Sequence, residues 1–391
     1  MIPQAALYLV TADDVRTARL RVAGRPVAFR AILAAVRAGV RRVAVPEALR
    51  SSELEAALAT SPAARAAVEW LGDPAGLADA PTALVPASAL GPADALQRLA
   101  TAPAGTLLAE SLTADSPLLV ADGALLAVLR APLAAGLPLG EALDHERKRR
   151  ELPVMTSGRW YVRVDGPAAA ADAETRLYAE LGTPIDTRLD RAVHRRLSRF
   201  VSRTAVAAGI GPNLITIASG VVGLAAVAAF AHGSVVSVLA GLALYVVAVV
   251  LDHADGEVAR LTLSESRLGA GLDIIVDTIV HGALLVALGL GAVRVAGSGW
   301  IAALAGAAAV VVSGLLGKFW PPAPASADRD VLDRLTSRDG FYLMLLAFVL
   351  VRIAAPRLLP ALLILIAVGS HVYWLSRALA LLRKKTCRTP K

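Results

Sequence analysis

From residue 213 onward the chain is a series of apolar runs, each close to the roughly 20 residues of helix that a bilayer core requires. Six can be drawn, at roughly 213–231, 234–251, 269–292, 299–319, 340–356 and 358–381. Lipid satisfies no backbone polar group, so each run must close its own hydrogen bonds as a helix. Up to about Arg203 the chain instead mixes Ala and Leu with charges and proline, as a water-exposed domain does. That division explains a mean hydropathy of +0.60 and 56% hydrophobic residues, too apolar for an ordinary soluble protein of 391 residues. The expected fold class is an α-helical membrane bundle of six transmembrane helices, preceded by a soluble α/β domain. The expected boundaries are 1–167 for the α/β domain, 168–208 for a linker and an amphipathic interfacial helix, and 209–391 for the membrane domain.

In the first domain Ala6-Leu7-Tyr8-Leu9-Val10, Val40 to Val45 and Leu118-Leu119-Val120 read as strands. Residues 27–39 have helical spacing of their apolar side chains and are closed by Gly39. Strands alternating with helices predict a parallel sheet covered on both faces. Between the domains, Leu189, Val193, Leu197 and Phe200 recur among Arg188, Arg191, Arg195, Arg196, Arg199 and Arg203. This pattern suits a helix with its apolar face in the acyl boundary and its cations at the headgroups.

The net charge of +8 fits attraction to anionic lipid, and no recognisable nucleic-acid module accompanies it. Arg260, Arg267, Lys318, Arg329, Arg334 and Arg338 fall in connections on one side of the membrane, and Arg294, Arg352 and Arg357 on the other. The positive-inside rule puts the first group in the cytosol, together with both termini. The start Met1-Ile2-Pro3-Gln4 lacks the pattern of a secretory signal, in keeping with a cytoplasmic N-terminal domain. Cys387 stands alone in a basic tail, excluding an internal disulfide and leaving a lipid acceptor or an inert thiol.

The informative stretch is Leu251 to His281, LDHADGEVARLTLSESRLGAGLDIIVDTIVH. An ionisable side chain within a span costs about 2.5–3.5 kcal/mol on insertion scales and marks a functional site by default. Asp252 and Asp255 are three apart, and Asp273 and Asp277 four apart, so each pair projects from one face of its helix. Four facing carboxylates repel unless cations lie among them. Oxygen-only ligands suit Mg²⁺, Mn²⁺ or Ca²⁺, and Mg²⁺ characteristically bridges carboxylates and substrate phosphates. Gly256 and Gly269 allow close approach of a ligand, Ala259 keeps that face small, and Arg260 offers a fork of donors for phosphate or base. Small residues that merely pack spans together do not explain four aspartates.

The pattern Asp252-x2-Asp255-Gly256-x2-Ala259-Arg260-x8-Gly269-x3-Asp273-x3-Asp277 resembles the signature of the CDP-alcohol phosphotransferase family. The resemblance covers about 190–385 and implies a homodimeric six-helix membrane fold with a divalent-metal site, Mg²⁺ or Mn²⁺. It implies cleavage of a CDP-alcohol, release of CMP and transfer of the alcohol-phosphate to an acceptor hydroxyl. By position it makes Asp252, Asp255, Asp273 and Asp277 metal ligands, with Asp277 also the general base. Gly256, Ala259, Arg260 and Gly269 fall in its cytidine diphosphate pocket. Similar Pro-Asn-x-x-Thr segments open the first span in that family; here Asn213 either caps the helix or reaches the nucleotide. Lys318 and Arg338 stand where an anionic acceptor would bind, though snorkelling explains Lys318 equally well. His281 follows Asp277 by four and shares its face, while His253 is expected to point elsewhere.

In the first domain, residues 22–27, 38–45 and 160–165 resemble nucleotidyltransferases that charge sugars or inositol phosphate with CTP. Fusion to this membrane domain is similar to bifunctional enzymes making CDP-inositol and di-myo-inositol phosphate phosphate. The first strand is followed by Thr11-Ala12-Asp13-Asp14-Val15-Arg16, without the glycines that let a backbone cradle phosphates, so the domain reads as degenerate. The donor stays open between CDP-diacylglycerol and a soluble CDP-polyol such as CDP-inositol. A cation-pathway membrane protein and a non-catalytic scaffold remain the other classes.

Overall fold

A computed structural model describes residues 2–91, 94–108, 117–155, 160–182, 194–319 and 338–386. The chain forms two compact units, Met1–Glu180 with Leu261–Ser264, and Leu181–Arg260 with Glu265–Lys391.

The first unit is an α/β fold around a seven-stranded sheet: β1 (Gln4–Tyr8), β2 (Arg42–Pro46), β3 (Val68–Leu71), β4 (Thr82–Pro86), β5 (Leu107–Leu108), β6 (Leu118–Ala121) and β7 (Val154–Met155). Their spatial order is β7-β5-β6-β4-β1-β2-β3. β1 lies inside the sheet, parallel to β2 and β4, with Gln4 opposite Arg42 on one side and Thr82 on the other. All five β1 side chains are buried. Ala5 and Leu7 join the core with Phe29 and Ile32 of helix Val27–Arg37, whereas Ala6 and Tyr8 join Leu125 and Leu129 of helix Gly123–Ala134. Alternation along the strand thus feeds two covered faces, which is why the run is apolar without a period of two.

The sheet departs from the all-parallel expectation at β6, which pairs antiparallel with both β4 and β5. β1 also begins earlier than its apolar run suggests. Gln4 is tolerated inside because its amide donates to Thr82 Oγ1 at 2.7 Å and to the Ala78 carbonyl at 2.8 Å. Gly39, at φ +91°, ends the following helix as expected.

The second unit is helical: α1 (Arg195–Ala207), α2 (Pro212–His232), α3 (Val235–Leu261), α4 (Arg267–Ala296), α5 (Trp300–Phe319), α6 (Arg338–Ala354) and α7 (Leu359–Thr386). Among the described residues, four stretches are long and apolar enough to cross a membrane, namely α2, α3, α4 and Pro356–Ser376. The remaining two expected spans are apolar helices over shorter described stretches, Trp300–Val312 and Gly340–Ala354.

Punctuation follows composition. Pro212 occupies the first helical position of α2, where its missing N–H costs nothing, and Gly233 leaves the helix at φ +78°. Arg294 Nη1 and Arg352 Nε donate to the Ala231 and Gly233 carbonyls at 2.6 Å, so two cations complement the C-terminal end of α2. The Ser266 hydroxyl caps α4 by accepting from Gly269 N at 3.0 Å.

α2 lies tightly along α4. A Cβ at Gly220 would come within 2.9 Å of Val276, and one at Gly223 within 2.8 Å of Val280. Phe230, Tyr245, Leu284, Leu288, Tyr342 and Phe348 fill the core, while Val221, Val236, Ile301 and Leu365 face outward. An apolar exterior, with glycines where α2 meets α4, is an arrangement that suits lipid.

Candidate metal centre

Three of the four singled-out aspartates converge. Asp252 and Asp255 of α3 and Asp273 of α4 each offer a carboxylate oxygen within 4.8 Å of the others. The i,i+3 spacing on α3 puts its two acids on the face turned to α4. The acids stand near one end of each helix: Asp273 is six residues past the start of α4, about 9 Å along its axis. Asp255 is buried, and Asp252 and Asp273 are half-buried. From α2, Thr216 donates its hydroxyl to Asp255 Oδ2 at 2.5 Å, fixing that carboxylate.

Asp277 lies one turn beyond the trio. It lines a cavity with Asp252, Ser219, Tyr245 and His281. His281 is tied in from both ring nitrogens: Nδ1–H donates to the Asp277 carbonyl at 2.7 Å, and Nε2 accepts from the Tyr245 hydroxyl at 3.1 Å in the neutral ring. His253 points away, as expected. Its Nδ1–H donates to the Val249 carbonyl at 2.9 Å, and its ring lies 5.7 Å from that of His194.

The neighbours of the trio also gather. A Cβ at Gly256 would sit 3.4 Å from Arg260 Nη1, so the guanidinium borders the space that the missing side chain leaves. A Cβ at Gly269 would meet Asn213 Oδ1 at 3.0 Å, placing the start of α2 against the first turn of α4. Asn213 does not cap α2. Gly211 is the cap residue, because proline at 212 takes the first helical position and pushes Asn213 into the turn. Ala259 is half-buried on α3. The side chains of Lys318 and Arg338, together with Cys387, lie outside the described residues.

One residue of the site escaped the sequence reading. Glu257 is fully buried and accepts from Arg195, Ser198 and Ser202 of α1. Arg195, counted from sequence among the headgroup cations, is 6% exposed and turns inward, while Leu197 and Phe200 are 48% and 74% exposed. The spacing of Arg195, Ser198 and Ser202 was the available signal: a polar stripe at helical period marks an inward face when its apolar opposite faces lipid.

The donor set fits a hard divalent cation, being oxygen-only and lacking any cysteine or histidine. Like charges 4.8 Å apart repel by roughly 3 kcal/mol per pair at an effective dielectric near 20, and a divalent cation reverses that sign.

In the first unit the loop after β1 is closed by its own acid. Asp14 is fully buried, and its carboxylate accepts from Val10 N at 2.6 Å and Thr11 N at 3.3 Å while pairing with Arg163 Nη2 at 3.1 Å. Asp165, the last residue of the 160–165 segment, is exposed.

Comparison with known proteins agrees with the motif. Residues 210–373 match the family model described as CDP-alcohol phosphatidyltransferase. A protein of Thermococcus kodakarensis described as a bifunctional IPC transferase and DIPP synthase is 32% identical over 221 residues, covering 55% of this chain and 50% of the relative. The chain therefore spans about half the length of the curated relative it matches.

Proposed function

Taking residues 210–373 as a CDP-alcohol phosphatidyltransferase domain, we propose that this chain is a membrane transferase that cleaves a CDP-alcohol, releases CMP and transfers the alcohol-phosphate to an acceptor hydroxyl. The observation that carries this reading is the convergence of Asp252, Asp255 and Asp273 within 4.8 Å on two helices that also bear Arg260 and Gly269.

The trio, with Asp277 completing it, would hold Mg²⁺ or Mn²⁺. When bound there, such a cation neutralises the diphosphate and the departing CMP. Thr216 keeps the Asp255 carboxylate aimed into the site. Arg260, with Asn213, Gly256, Ala259 and Gly269, forms the nucleotide side, where a guanidinium fork suits phosphate oxygens. Asp277 receives the proton of the acceptor hydroxyl as its oxygen forms the new bond to phosphorus and the bond to the CMP oxygen breaks. His281, Lys318 and Arg338 form the acceptor side. His281 is already oriented by Tyr245 and by the carbonyl of the proposed base.

The proposal extends to architecture: six spans in a membrane domain over 209–391, an interfacial helix within 168–208, cytoplasmic termini, and a homodimer. The domain over 1–167 is a degenerate nucleotidyltransferase relative, a reading supported by the Asp14 carboxylate on the loop amides that a phosphate would need. A role in phospholipid or inositol-phosphate synthesis is supported by the relative described as an IPC transferase and DIPP synthase. That description favours an inositol-phosphate-related reaction, with CDP-diacylglycerol or CDP-inositol as donor.

The test offers purified protein with Mg²⁺ first CDP-diacylglycerol and then CDP-inositol, with a panel of phosphorylated polyols, while CMP is followed. CMP formation dependent on one donor and one acceptor is expected. No CMP with any donor, alongside metal-ion flux into vesicles, would favour a cation pathway instead.

A further inference from the structure

Asp252 and Asp255 occupy one face of α3, and the back of the same turns carries a carboxylate that the proposed chemistry does not use. Glu257 is fully buried. Arg195 Nη1 donates to its Oε1 at 2.9 Å, Ser198 Oγ to Oε1 at 2.8 Å, and Ser202 Oγ to Oε2 at 2.7 Å. The two serines are fully buried as well. A buried ion pair of this kind is often no more stabilising than apolar side chains of similar volume, whereas it is selective for one arrangement of the helices that hold it.

Its position says which arrangement. Two residues beyond Asp255 is about 200° around a helix of 3.6 residues per turn. Glu257 therefore anchors the back of the turn whose front presents Asp252 and Asp255. A carboxylate stands roughly 6 Å from its helix axis, so a rotation of about 15° moves it by about 1.5 Å, beyond the tolerance of a preorganised site. Thr216 of α2 holds the front of this turn through Asp255, and α1 holds the back through Glu257. The supporting helix lies at 195–207, ahead of the residues matched to the family.

We propose that Glu257 is a positioning residue: the bonds it accepts from Arg195, Ser198 and Ser202 set the rotation of α3, and with it the aim of Asp252 and Asp255 at Asp273. The inference rests on the metal-binding reading of that trio. It makes α1 part of the working site.

The test titrates Mn²⁺ into the purified full-length chain without substrate, reads bound ion by electron paramagnetic resonance, and records melting temperature in parallel. Glu257→Ala and Arg195→Ala are each expected to weaken Mn²⁺ binding by roughly tenfold, the usual scale for groups that orient metal ligands. The double variant should be no weaker than either single one, because both act through one contact, and Glu257→Gln should recover most of the affinity. A lowered melting temperature with Mn²⁺ binding unchanged in Glu257→Ala overturns this inference and leaves the metal reading standing. Failure of the unaltered chain to bind Mn²⁺ overturns the metal reading and this inference together. Should Glu257→Ala not fold, Ser202→Ala, which removes one hydroxyl and no charge, is expected to weaken binding two- to fivefold, and unaltered affinity there overturns the inference.

Discussion

Each unit contains a buried aspartate, and the two differ in company. Asp14 is enclosed by two backbone amides and Arg163, all donors. Asp255 has a single hydroxyl from Thr216 and, within 4.8 Å, two more carboxylates. The first arrangement is complete as it stands: its charge is matched and its lone pairs are taken. The second brings three carboxylates together, a donor set that suits a hard divalent cation. On the proposed function, what separates a structural acid from a working one here is the sign of its neighbours, since both are buried.

The sharpest break of that contrast comes from substitutions at the second site. Asp277→Asn and Asp255→Asn are each expected to lower CMP release by on the order of 10³, measured as kcat/KM with the donor that supports turnover. Retention of more than a tenth of the activity would put these acids in the same class as Asp14. Thr216→Val keeps the shape of the side chain but removes the 2.5 Å donor to Asp255. A loss of about 10- to 100-fold in metal affinity is expected, against little change in melting temperature.

The opposite outcome should hold in the first unit. Asp14→Ala leaves the Val10 and Thr11 amides and Arg163 without their acceptor, and should destabilise that unit by about 2–4 kcal/mol, read from denaturant unfolding. CMP release by the folded protein should stay unchanged; a thousandfold fall would show that Asp14 serves the reaction.

The smallest effect is at Glu146, another satisfied acid. Hydrogen bonds from Arg149 and then Arg150 hold its carboxyl at about 2, against an ordinary 4.5. A depressed carboxyl stabilises the fold above its unfolded-state value, and that contribution disappears as pH falls from about 4.5 toward 2. Glu146→Gln should flatten the melting temperature over that interval, and an unchanged slope would show that the cluster contributes nothing in solution.

Much of the second unit was legible in the sequence because lipid imposes coarse rules: run length gives helices, and four acids among apolar residues announce a site. Spacing placed Asp252 with Asp255, and Asp273 with Asp277, on one face of each helix; that the helices face each other so that three of the four acids meet is what the structure adds. Glu257 was hidden for a reason of its own. Its partners lie about 60 residues away on α1, and a helix read by its apolar stripe was oriented without asking what its serines face. Arg294 and Arg352 read as topology markers, yet they bond the carbonyls ending α2, a local duty that charge counting cannot register. In the first unit the antiparallel β6 was not legible, because a short buried strand carries the same apolar composition in either direction.

The seam between α2 and α4 has a practical corollary for anyone seeking a hardier version of this protein. Replacing helical glycine by alanine is among the commonest routes to thermostability, but at Gly220 and Gly223 the added methyl would collide with Val276 and Val280 and force α2 off α4. Gly369, with open space around its missing side chain, is the safer place to begin.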